Sequence, residues 1–306
     1  MVQLARQLEG QMEEVGRGRE MVEAAGTVVG LRQLFAEEEG EGLGRMKVVG
    51  TLRQDVVAPS ERALLSRAQQ VVREFSMSGL LAGQQQGQHQ QGQQTFAQTE
   101  ETKGKATAAL QTLYLLSPIK ATTTPDTFEP ALLIQALQAY LQTALTSSVA
   151  ALARALATLP TLDRTLLEIS ARCQNIVALE SLLEATKPPM HPLLATSTRP
   201  TPPEGGRNSL LPLLLSHLDT SSLPSYFWRS MAGQLSPRVQ EILTRGGVSA
   251  RTLRTNRERV RESVRECVER GTRAPASSGL AGKVKVGGWE REAAVMAGAV
   301  VGPLGR

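Results

Sequence analysis

PALLIQALQAYLQTALTSSVAALARALATLPTLDRTLLEISARCQNIVALESLL, residues 130–183, is the stretch whose reading decides the fold. Leu133, Leu137, Tyr140, Leu141, Leu145, Val149, Leu152 and Leu156 recur at three- and four-residue steps, which puts them on one face of a helix. Pro160 interrupts the pattern, because its ring clashes with the preceding turn and it has no amide hydrogen to give. Thr161 is a residue type that caps a new helix. Leu162, Leu166, Ile169, Cys173, Ile176, Val177 and Leu183 then repeat the same steps. Two long amphipathic helices on either side of a short break predict an antiparallel helical hairpin.

Upstream, residues 1–36 read as one helix on Leu4, Leu8, Met12 and Val15, weakened by Gly10, Gly16, Gly18 and Gly26 and therefore expected to lean on a partner helix. The acidic run 37–44 reads as a break. A second helical segment over residues 46–81 has Pro59 as a first-turn proline, followed by Leu64, Leu65, Ala68, Val71, Val72 and Phe75. Residues 84–94 are almost all Gln with nothing apolar to bury, which predicts a solvated linker. Helix is expected again from Ala97 and ends at Pro118.

Downstream, residues 187–208 are rich in Pro, Thr and Gly and read as a second linker. Short helices follow at residues 210–215 and near Pro224. Ser236-Pro237 reads as a cap and first-turn proline, and Gly246-Gly247 as a stop. Thr255 and Glu258 have capping-box spacing ahead of an Arg-rich helix, and a last helix holds Trp289, Val295 and Met296. The expected architecture is all-α: an elongated helical bundle or rod with amphipathic hairpins and two disordered linkers. Its expected segments are 1–81, the Gln-rich linker 82–96, a hairpin bundle 97–186, the Pro/Thr-rich linker 187–208 and a C-terminal helical region 209–306.

The composition agrees, with few aromatic residues and abundant Leu, Ala, Val, Glu, Gln and Arg. Two cysteines, Cys173 and Cys267, exclude a disulfide framework and fit a reducing compartment. The polar start of the chain does not read as a signal peptide, and the apolar stretch at 293–301 is too short to span a bilayer. The protein is expected to be soluble or peripheral.

Catalysis needs converging polar groups, and the sequence offers none. His89, His191 and His217 are scattered, and neither cysteine has a Cys or His at metal-ligand spacing; both cysteines read as core residues. Glycines at 40, 42 and 44 follow an acidic run instead of a strand, the wrong context for a phosphate loop. The reading is no enzyme, no cofactor and no metal.

The remaining candidates are surfaces. Residues 229–306 hold 15 Lys/Arg against 7 Asp/Glu, so the chain's formal charge of +5 comes from its last quarter. Arg251, Arg254, Arg257, Arg261 and Arg265 are candidates for contact with an anionic membrane or an acidic partner, although interleaved glutamates make a solvated helix the plain alternative. Nucleic acid is not expected, because no aromatic residues are interleaved for base stacking. For partner binding the candidates are Leu137, Tyr140, Leu141, Leu145, Val149 and Leu152 on the first hairpin helix. Trp228 joins them from the Tyr226-Phe227-Trp228 cluster, of which about two rings are expected to pack internally.

Several runs resemble one family. Residues 140–148 (YLQTALTSS), 156–163 (LATLPTLD), 171–180 (ARCQNIVALE), 223–230 (LPSYFWRS), 245–253 (RGGVSARTL) and 289–296 (WEREAAVM) are similar to fungal subunit 5 of the conserved oligomeric Golgi complex. Residues 4–12 and 66–73 resemble the same subunit's early helical region. The resemblance implies a peripheral protein on the cytosolic face of the Golgi membrane, in a tethering complex of intra-Golgi retrograde transport. It also implies other subunits as partners, subunit 7 above all, with SNAREs and small GTPases assisting. Members have a helical segment ahead of the part matched here, and Met1 falls inside a helical pattern, so the chain is expected to be N-terminally incomplete. Poor solubility or self-association of the isolated chain follows if its apolar stripes await partners. Two other readings stay open: a general helical scaffold or adaptor, and a membrane- or RNA-binding protein using the basic C-terminal helix.

Overall fold

A helix with one apolar stripe must cover that stripe with another helix, and this chain does so repeatedly. A computed structural model describes residues 2–14, 19–41, 47–76, 91–118, 131–189, 209–273 and 289–304, among which there is helix and no strand. The chain falls into two compact units, each drawn from stretches far apart in sequence, and four of the helices contribute to both.

Unit 1 comprises Met1–Phe75, Phe96–Gln138 and Leu182–Leu213. Its first helices, α1 (Val2–Glu14) and α2 (Arg19–Glu41), pack together, burying Ala5 and Leu8 on one and Met21, Ala24, Ala25, Val28, Leu31 and Phe35 on the other. The single helix expected over 1–36 is thus two, and the sequence between them contains the poor helix formers Gly16 and Gly18. Conversely, α2 continues to Glu41, into the acidic run 37–44 read as a break, whose remainder lies outside the described residues. Glutamate is a good helix former, and acidity alone does not end a helix.

The next helix begins as α3 (Lys47–Thr51), widens into a π-helical stretch (Leu52–Val57) and continues as α4 (Ala58–Arg73). Pro59 is in the first turn of α4, where its missing N–H costs least. Leu64, Ala68 and Val72 are the buried stripe, and Phe75 packs just beyond the helix end at Arg73. Arg32 of α2 pairs with Glu61 of α4, and its other nitrogen donates to the carbonyl of Leu116 at 3.0 Å. That carbonyl is at the end of α5 (Gln91–Leu116), which starts six residues earlier than expected, inside the Gln-rich run. Glutamine supports helix once a following segment nucleates it. The rest of that linker, 82–90, and residues 190–208 of the second lie outside the described residues.

Unit 2 comprises Ser76–Thr95, Ala139–Ser181 and Leu214–Arg306. The predicted hairpin is α6 (Leu132–Thr158) and α7 (Leu162–Ala185). At the break Leu159 takes a positive φ of 57°, and the Leu162 amide donates to its carbonyl at 3.0 Å. Within unit 2 the two helices are stitched by Arg172 of α7, which donates to the hydroxyls of Ser147 at 2.7 Å and Ser148 at 3.1 Å. After α8 (Leu211–His217) come α9 (Leu223–Arg245), α10 (Gly247–Thr255), α11 (Arg257–Thr272) and α12 (Trp289–Val301), which packs on both α9 and α11. Ser222 caps α9 by accepting from the Ser225 amide at 3.2 Å. The Glu180 carboxylate accepts from the Leu223 amide at 2.8 Å, at the positive end of that helix.

Two cap readings fail. Ser236-Pro237 does not start a helix: Pro237 is inside α9, two residues from buried Leu235 and Val239. Burial of the residues on either side of the proline carries the helix past it. The Thr255/Glu258 capping box is also absent. Thr255 ends α10, and Asn256 separates α10 from α11 while its side chain donates back to the Thr252 carbonyl at 2.8 Å. The glycine stop is borne out, with Gly246 at φ 70° and Gly247 at φ 77°.

At Gly271 of α11 an added Cβ would meet neighbours within 4 Å. A Cβ there would stand 2.9 Å from Cζ2 of Trp228 and 3.0 Å from Cβ of Cys173. Gly271→Ala is therefore expected to destabilise by about 1–3 kcal/mol through overpacking. Gly298→Ala in α12, where a Cβ meets nothing, is expected to stabilise by about 0.5–1 kcal/mol. Thermal unfolding followed by circular dichroism reads both, and equal effects of the two would refute the contact.

Candidate interaction surfaces

The residues that sequence pattern singled out for partner binding are in the interior. Leu137, Leu141, Leu145, Val149, Leu152 and Trp228 are almost wholly covered and Tyr140 is 9% exposed. Phe227 and Trp228 meet edge to face at 5.1 Å and 69°, and it is Tyr226 that stays partly exposed. The expectation of two internal rings is met, but Trp228 is one of the two. As the chain stands, these side chains are core; a stripe read from sequence cannot show that its own chain covers it.

The five arginines divide. On α10, Arg251 and Arg254 are exposed and no carboxylate pairs with either among the described residues. On α11 the glutamates have another effect. Val260, Val264, Cys267, Val268 and Gly271 face the core, so Glu258, Glu262, Glu266 and Glu269 run along the opposite, outward face. Arg257, Arg261 and Arg265 flank that acidic line, with Arg257 at 3.6 Å and Arg261 at 3.9 Å from Glu258. On the other flank Arg259 pairs with Asp163 of α7 at 3.0 Å. The helix is basic in sum and acidic on its crest.

In unit 1 a shallow apolar groove of about 580 Å³ lies along α1 and α2. Gly26 and Gly30, one turn apart, line it with Val22, Leu34, Leu4 and Leu115. Sequence reasoning took such glycines as helix weakeners; their four-residue spacing was the unread sign of a bare helix face.

Neither cysteine is available for chemistry. The Cys267 thiol donates to the Leu166 carbonyl at 3.2 Å, and burial pushes it up to about 12; burial also raises Cys173, with Cys267 adding to the rise. Tyr140 is raised as well, by burial first and Cys173 second. Among the described residues no group of three or more His, Cys, Asp or Glu could hold a metal ion, and no helix is long and apolar enough to cross a membrane. His217 is exposed at the end of α8, while His89 and His191 lie outside the described residues.

Residues 45–268 match the family described as conserved oligomeric Golgi complex subunit 5, C-terminal. No curated protein matches the chain. Among solved structures it is similar to a chain in the crystal structure of the Cog5–Cog7 complex from Kluyveromyces lactis, with a TM-score of 0.66 and 15% identity. That alignment covers 98% of this chain and 87% of the other. At such identity the likeness is one of fold.

Buried thiols make a pH prediction. The raised Cys267 is protonated when folded and ionises more readily when unfolded, so its stabilisation is full below pH about 9 and is lost as pH rises toward about 12. Neither cysteine should react with a thiol reagent at pH 8 until the chain unfolds; rapid labelling of the native chain would contradict the burial.

Proposed function

The chain belongs to the conserved oligomeric Golgi complex subunit 5 family through that family's C-terminal region, and we propose that it serves this Golgi tethering complex as a non-catalytic helical subunit, peripheral on the cytosolic face. The observation that carries the reading is the extent of the match. It takes in the α6–α7 hairpin, all of α9 and α10 and most of α11, so the shared part is the folded framework and not a short motif. Helices that cover their own stripes and leave charged outer faces suit a rigid element of an assembly. Scattered histidines, protonated buried thiols and solvated ion pairs provide no converging acid, base or nucleophile.

The proposed principal partner is a Cog7-type subunit, by analogy with the similar chain in the Cog5–Cog7 complex. Because the hairpin stripes are internal, the contact falls to outer faces, among them the apolar groove of α1 and α2. On this reading the hairpin stripes serve as core, and the partner meets other faces.

Co-expression with Cog7 of the same organism, read by size-exclusion chromatography with light scattering, is expected to give a stable one-to-one complex. A folded, monomeric chain that ignores Cog7 would overturn the pairing and favour a general helical scaffold.

A further inference from the structure

We propose that α10 docks on an anionic lipid surface, with Arg251 and Arg254 as its cations and Val248 as the side chain that enters the headgroup region. The proposal rests on the reading above for the presence of a membrane and adds the element that meets it.

The sequence of α10, GVSARTLRT, has no acidic residue. Ala250 and Leu253 are buried and fix which side of the helix faces the core. On the other side stands Val248, 83% exposed, the most exposed large apolar side chain among the described residues. It is in the first turn, directly after Gly246 and Gly247, whose positive φ values end α9 and begin α10. Arg251 follows one turn on and Arg254 three residues later, both exposed. Of the neighbouring charges, Arg245 is paired with Glu241 at 2.6 Å, and Arg257 has Glu258 beside it. The positive field is thus concentrated on α10 and blunted along α11, although α11 holds more arginines.

A lipid surface fits this better than an acidic protein. A protein interface centres on a packed apolar core, and a single valine one turn ahead of two arginines is not one. A headgroup region accepts one aliphatic side chain with cations beside it, because the cations gain from the negative surface and no matching pocket is required.

The test uses the full chain, sedimented with phosphatidylcholine vesicles with or without phosphatidylserine, and in parallel assayed for its complex with Cog7. Binding is expected only with phosphatidylserine and is lost in about 1 M salt, where the screening length is about 3 Å. Arg251→Gln with Arg254→Gln is expected to weaken vesicle binding about fivefold per arginine. Val248→Ser weakens it less and leaves the salt dependence unchanged. Arg261→Gln with Arg265→Gln on α11 leaves it unaltered. All five positions are exposed, and thermal unfolding verifies that each variant folds. Wild-type chain that ignores phosphatidylserine, or equal losses from the α10 and α11 pairs, overturns the proposal while the subunit reading stands. α10 variants that keep the vesicles and lose Cog7 overturn it in favour of a protein contact. Loss of Cog7 binding by the wild-type chain bears on the subunit reading alone.

Discussion

The constraint on which the fold depends is that almost every helix carries an apolar stripe and must find another helix to cover it. In unit 2 that covering is close at Gly271, where the missing side chain lets Trp228 and Cys173 approach the α11 backbone. A covered leucine contributes about 1.5–3 kcal/mol, so each side chain in the row from Tyr140 to Leu152 adds to the burial that opposes chain entropy. Polar bonds then fix register. Arg172 holds α7 against Ser147 and Ser148, and Glu180 holds the start of α9.

Function follows from what this packing leaves outside. With the stripes, Phe227 and Trp228 internal, the described outer faces carry ion pairs, exposed arginines and a shallow groove. Such a molecule offers geometry and contact area. A subunit whose task is to hold others in place requires this: a framework that stays folded while its surfaces are engaged. The uneven charge of the last quarter is resolved by the structure into an acidic crest on α11 and an unpaired basic face on α10.

The hairpin was legible because helical period and one proline define it without help from the rest of the chain. Cap readings at Pro237 and Thr255 were less secure, since tertiary burial of Leu235 and Val239 carries α9 past the proline and Asn256 spends its side chain backward. The stripes themselves were visible, but not what covers them: Trp228 meets α11 across some forty residues of sequence. The same limit applied to the arginines, which a count treats alike and helical phase divides.

The most direct measurement is hydrogen–deuterium exchange of the chain alone and bound to Cog7. The account predicts that amides of α6 and α7 around Leu141, Leu145, Ile169 and Cys173 exchange equally slowly in both states, with changes confined to outer faces. Fast exchange along α6 in the free chain, slowed only by Cog7, would show that the stripes are partner surfaces and would contradict it.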